Sequence, residues 1–78
     1  MARLQMRPGL IGRLRETRSI PSDEVVARMI GCDRATLRRI ENGAQPSGTF
    51  VAGVVTAFGL GIGEAFEVIP EEAAALAA

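Results

Sequence analysis

Nine arginines and no lysine or histidine supply the whole cationic inventory of this 78-residue chain. Three of the nine sit within RATLRRIENG, at Arg34, Arg38 and Arg39. With Arg34 at 0° and ~100° of rotation per residue on a helix, Arg38 falls at ~40°, Asn42 at ~80°, Ala35 at ~100° and Arg39 at ~140°. Leu37 and Ile40 fall opposite, so one face of such a helix is guanidinium-rich and the other can be buried. Like charges four residues apart destabilise an isolated helix by a few tenths of a kcal/mol. A DNA major groove relieves that cost, because phosphates line it and guanine O6 and N7 accept a bidentate guanidinium. A solvated basic face satisfies the same pattern.

Other chemistries are poorly provided for. Without histidine and with one cysteine, Cys32, most metal sites and the usual nucleophile–base pairs are excluded, and no enzyme is expected. No catalytic residue, metal, cofactor or small-molecule ligand is assigned. A lone thiol forms no internal disulfide, which fits a reducing cytoplasm. Cys32 reads as a small buried hydrophobe. The N-terminus lacks the apolar core of a signal peptide. The apolar stretch FVAGVVTAFGLGIG falls short of the ~20 residues of a membrane span and reads as a core helix plus turn.

Zero net charge conceals a split. Residues 1–39 hold all nine arginines and four acids, giving +5, whereas residues 40–78 hold five glutamates and no cation, giving −5. A basic face for a polyanion with an acidic end elsewhere, or simply a dipolar domain, would show this.

The elements that must position the arginines are helical, and no strand-like alternation is apparent. Pro8 suits the first position of a helix that runs to about Arg18. Ser22 is a good N-cap for a second helix, with Asp23 and Glu24 in its first turn and Gly31 at its end. Asp33 caps a third helix over 34–42, closed by Gly43. Two helices separated by Gly-Cys-Asp make a helix-turn-helix pattern. A fourth helix is expected from about Thr49 to Phe58 and a short fifth from Glu64 to Val68. EEAAALAA reads as a helix-prone tail, giving a domain over 1–69 and a tail over 70–78. The fold class is all-α, a compact bundle of about five short helices. With 78 residues the core is marginal. The apolar Phe66, Val68 and Ile69 are candidates for a dimer contact.

The segment from Leu10 to Phe66 resembles the Cro/repressor-type, lambda-repressor-like (Xre) helix-turn-helix family. The marks are SDEVVARMIG, CDRATLRRIENG, Pro46 and AFGLGIGEAF, with Ala27 and Glu41-Asn42-Gly43 the most specific. The resemblance implies a small transcription regulator that binds double-stranded DNA, as a homodimer. It makes the third helix the recognition helix, with base contacts from Arg34, Ala35 and Arg39. It places backbone contacts at Ser22, Arg38, Asn42, Gly43, Ser47 and Thr49. It also implies a structural ion pair between Glu41 and Arg15, or else Arg18. The chain departs from the family at Asp23 and Asp33, where acids replace the more common Gln and Ser or Thr, and at Gly61, where a capping Ser is frequent. A protein-interaction module of the same fold, using the acidic half, is the competing reading.

Overall fold

The computed structural model describes residues 2–70. Its elements in order are β1 (Ala2–Met6), α1 (Leu10–Thr17), α2 (Asp23–Ile30), α3 (Arg34–Glu41), α4 (Gly48–Phe58), α5 (Ile62–Ala65) and β2 (Phe66–Pro70). The five expected helices are present, and α2 and α3 enclose the expected Gly31-Cys32-Asp33 turn. Of the expected tail over 70–78, Pro70 closes β2, and residues 71–78 lie outside the described residues.

Side-chain caps set three of the helix starts. Ser22 accepts from the Val25 N–H at 3.3 Å, Asp33 from Thr36 N–H at 2.7 Å and Ser47 from Phe50 N–H at 3.1 Å. Each satisfies one of the amides that a helix start leaves without a partner. Gly61 has no side chain to offer α5, but Glu64 accepts its amide N–H at 2.8 Å and so closes that turn from the other side.

The Asn42-Gly43 stop of α3 is a two-bond closure. Gly43, at φ 105°, donates to Ile40 O at 3.1 Å, and Ala44 donates to Arg39 O at 3.0 Å. This is the Schellman arrangement, which needs a left-handed residue that glycine supplies without a Cβ clash.

Three sequence expectations are corrected here. Pro8 does not open α1; the helix starts at Leu10, after Gly9. The fifth helix does not run from Glu64 to Val68; it ends at Ala65, and Phe66 is already extended. Strands exist: β1 and β2 pair antiparallel, with Ala2 opposite Pro70 and Met6 opposite Phe66. Pairing replaces the lost helical hydrogen bonds and turns Met6 and Phe66, both almost fully buried, into the core. Phe66 meets Phe50 edge to face at 6.3 Å between centroids.

The rest of the core comes mostly from one face of each helix: Leu10, Ile11 and Leu14, then Val26, Ala27 and Ile30, then Leu37 and Ile40, then Phe50, Val54 and Phe58, then Ala65, with Ile20 added from the turn after α1. α2 and α4 cross closely at Gly53. A Cβ built there would stand 2.2 Å from the Ile30 carbonyl oxygen, so only glycine fits this approach.

Arg18 holds the far end of α4. Its Nη2 donates to Phe58 O at 2.7 Å, and its guanidinium carbon lies 5.7 Å from the Phe58 ring centroid. A cation thus meets both the negative end of a helix and an aromatic face.

Candidate nucleic-acid interface

The helix-turn-helix presents α3 outward. Leu37 and Ile40 are buried beneath it, while Arg34, Ala35, Arg38, Arg39 and Asn42 are exposed. Those five residues line one open cleft of about 620 Å³. The expected base-contact residues Arg34, Ala35 and Arg39 therefore share a surface with Arg38 and Asn42.

The other expected anchors lie around this face. Ser22 shares a smaller depression of about 230 Å³ with Arg15, Asp23, Glu24 and Arg34, next to the start of α2. Gly43 follows the Asn42 cap of α3, and Ser47 and Thr49 stand at the start of α4, outside the cleft.

Four arginines away from α3 have partners of their own, and Arg3 and Arg13 make no ion pair among the described residues. Arg7 pairs with Glu67 at 3.7 Å and donates to Gly63 O at 2.9 Å. Arg15 pairs with Asp23 at 3.2 Å, Arg28 with Glu24 at 3.9 Å, and Arg18 is committed to Phe58. Among the described residues, no carboxylate oxygen lies within 4 Å of the guanidinium nitrogens of Arg34, Arg38 or Arg39. The positive charge concentrated on α3 is thus not taken up in an ion pair among the described residues.

The expected Arg15–Glu41 pair is not formed. Arg15 instead bonds Asp23 Oδ1, Pro21 O at 2.9 Å and Ile20 O at 3.4 Å, because the chain after α1 folds back beneath its guanidinium. Arg18, the other candidate for Glu41, is held at α4. Glu41 is left with loss of hydration and the like charge of Asp23, which raise its pKa against the weaker pull of Arg38 and Arg15. The same Arg15–Asp23 pair offsets the negative charge in the first turn of α2.

Asp33 behaves oppositely. The Thr36 hydroxyl and amide, with the charge of Arg39 behind them, hold its carboxyl below the ordinary value. Arg39 Nη2 in turn donates to Thr36 Oγ1 at 3.2 Å. Thr36 was not among the sequence candidates, and its spacing of three from both Asp33 and Arg39 was the available signal. Cys32 is only partly buried, packed against the core edge, and burial followed by the neighbouring Asp33 charge pushes its thiol pKa up.

A family profile described as Helix-turn-helix matches residues 11–64, the stretch from α1 to α5. The chain belongs to this family, the Cro/Xre type of helix-turn-helix domain. No curated protein and no solved structure gives a significant match. Membership makes the helix-turn-helix domain a DNA-binding regulator in general character, from a family without enzymatic activity. Within the domain, α2 and α3 are the two motif helices, and α3 carries the unpaired arginines. Among the described residues, no helix is long and apolar enough to cross a membrane.

Proposed function

We propose that the protein is a small, Cro- or repressor-like transcription regulator that inserts α3 into the major groove of a specific double-stranded DNA site. The observation that carries this reading is the set of three exposed arginines on one helix face without a carboxylate partner among the described residues. Arg34, in the first turn of α3, and Arg39 read base edges, and Ala35 offers an apolar contact such as a thymine methyl. Arg38, Ser22, Asn42, Gly43, Ser47 and Thr49 hold the phosphate backbone.

The protein acts as a homodimer on a two-fold-related site, with half-sites ~34 Å apart. The support is an apolar groove of about 490 Å³ lined by Leu4, Pro46, Val51, Val55 and Ile62, without a charged side chain. Ile62 and Val68 are 55% and 63% exposed, and Val68 stands opposite Leu4 in the strand pair. A groove flanked by protruding aliphatics can be filled by the same patch of a second copy. Phe66, first expected in such a contact, is committed to the core. The competing interaction-module reading has less support, because Glu64 and Glu67 of the acidic half are engaged at Gly61 and Arg7.

The test is binding to a duplex selected from a random pool by the wild-type protein. Arg34→Ala should weaken the selected site by ~1–3 kcal/mol and relax preference at one base pair. Arg38→Ala should weaken all sequences alike and lower the salt slope by about one. Equal losses on selected and random DNA for Arg34→Ala would remove it as a base reader. Unchanged DNA binding in both variants would refute the reading.

A further inference from the structure

Asp33, Thr36 and Arg39 lie three residues apart in one row along α3. The row is connected: Thr36 N–H donates to Asp33 Oδ1 at 2.7 Å, and Arg39 Nη2 donates to Thr36 Oγ1 at 3.2 Å. A threonine hydroxyl carries two lone pairs, so it can accept from a guanidinium. Asp33 is itself fixed as the N-cap of α3. Arg39 is thus tethered to the side chain of a residue whose own amide is held by the cap of α3. Arg34 and Arg38 make no side-chain hydrogen bond among the described residues, so of the three arginines on this face Arg39 alone is tethered in this way.

We infer that Thr36 is a positioning residue for base reading, whose hydroxyl accepts from Arg39 and fixes the direction in which the Arg39 guanidinium leaves the helix. The inference rests on the DNA-binding reading above. One of five guanidinium N–H groups is used by Thr36, leaving enough donors for a bidentate contact to guanine O6 and N7. A fork already held in place loses less freedom on binding than a free arginine, so the tether favours recognition at that base pair. It removes no charge, so attraction to phosphate in general is untouched.

The experiment uses the duplex selected by the wild-type protein, its single-base-pair variants and random DNA, at two salt concentrations. Thr36→Val keeps the side-chain shape and deletes the hydroxyl. It should weaken the selected site about 2- to 10-fold, the range of one modest hydrogen bond. It should flatten preference at the same base pair that Arg39→Ala flattens, and leave affinity for random DNA and the salt slope at wild-type values. Thr36→Ser should restore both. In an Arg39→Ala background, Thr36→Val should have no further effect, since the pathway runs through Arg39. Thr36→Ala is measured beside it in case valine crowds the helix, and melting curves accompany every variant. Equal loss on selected and random DNA, or an undiminished effect in the Arg39→Ala background, would overturn the inference and leave Thr36 a structural residue. Tighter binding by Thr36→Val would overturn it too, showing that the hydroxyl restrains Arg39. If the wild-type protein enriches no sequence from the pool, the DNA reading beneath the inference fails instead.

Discussion

Alanine at Gly53 and alanine at Gly12 should have opposite effects on stability. Both glycines lie inside helices, α4 and α1, where alanine is intrinsically better by up to ~1 kcal/mol. At Gly12 a Cβ meets nothing within 4 Å, so the full propensity gain should appear. At Gly53 it stands 2.2 Å from Ile30 O, 3.0 Å from Ile30 Cγ2 and 3.2 Å from the Ile30 carbonyl carbon. Non-bonded heavy atoms settle at ~3.5 Å, so α2 and α4 must separate by about 1 Å. The nearest obstacle is backbone at the last residue of α2, which no rotamer change can remove. Separation also loosens Val26 and Val54, both fully buried. Overpacking of this kind costs about 1–3 kcal/mol or more, against the ~1 kcal/mol gained from propensity. A net loss of about 1–2 kcal/mol is expected, with each kcal/mol worth roughly 4–8 °C in a domain of this size. Urea and thermal unfolding of Gly53→Ala, Gly12→Ala and wild type side by side decide the matter. Stabilisation by Gly53→Ala equal to that of Gly12→Ala would refute the close approach of α2 and α4.

Arg18→Gln should lower stability by about 1 kcal/mol, because it removes a charge-assisted bond to a helix end and a cation–π contact, and thermal unfolding measures it. Glu41→Gln should leave neutral-pH stability unchanged or raise it. The raised native pKa means that the native state binds the proton more tightly, so Glu41 contributes stability below its ordinary value of 4.5 that is lost as pH rises through the native value. Unfolding followed between pH 4 and 7 (roughly the carboxylate range) should show this decline in wild type and not in the variant, and a large loss at pH 7 on substitution would reveal an ion pair after all. Val55→Asp, which puts a charge into the uncharged groove, should leave the fold intact and yield monomer in sedimentation where wild type gives dimer. Identical sedimentation of the two would remove the groove as the dimer surface.

What the sequence made legible was mostly local. Ser22, Asp33 and Gly43 announce helix ends within three or four residues of the bonds they make, and those ends fall where expected. The arginine face of α3 follows from helical periodicity alone, and the structure keeps Arg34, Ala35, Arg38 and Arg39 on one cleft. The strands were hidden because each is five residues long and its partner lies at the other end of the chain. Their stability comes from that pairing and from burial of Met6 and Phe66, neither of which a local pattern displays. Arg15 and Arg18 were misassigned for a related reason. A long cation chooses among acceptors by distance in space, and four of the acceptors that these two found are carbonyl and carboxylate oxygens brought near by the turn after α1 and the end of α4.

The strand pair also gives the domain a mechanical character. Ala2 and Pro70 form the outermost rung, and Met6 and Phe66 the innermost. Tension applied between residues 2 and 70 therefore loads the rungs one at a time, as in opening a zip, instead of shearing all of them together. Resistance should be slight at first and rise abruptly at the fifth rung, where two side chains must be drawn out of the core at once. A pull on both ends would thus be resisted at Met6 and Phe66, and the helix that carries the arginines would feel it only after that point had yielded.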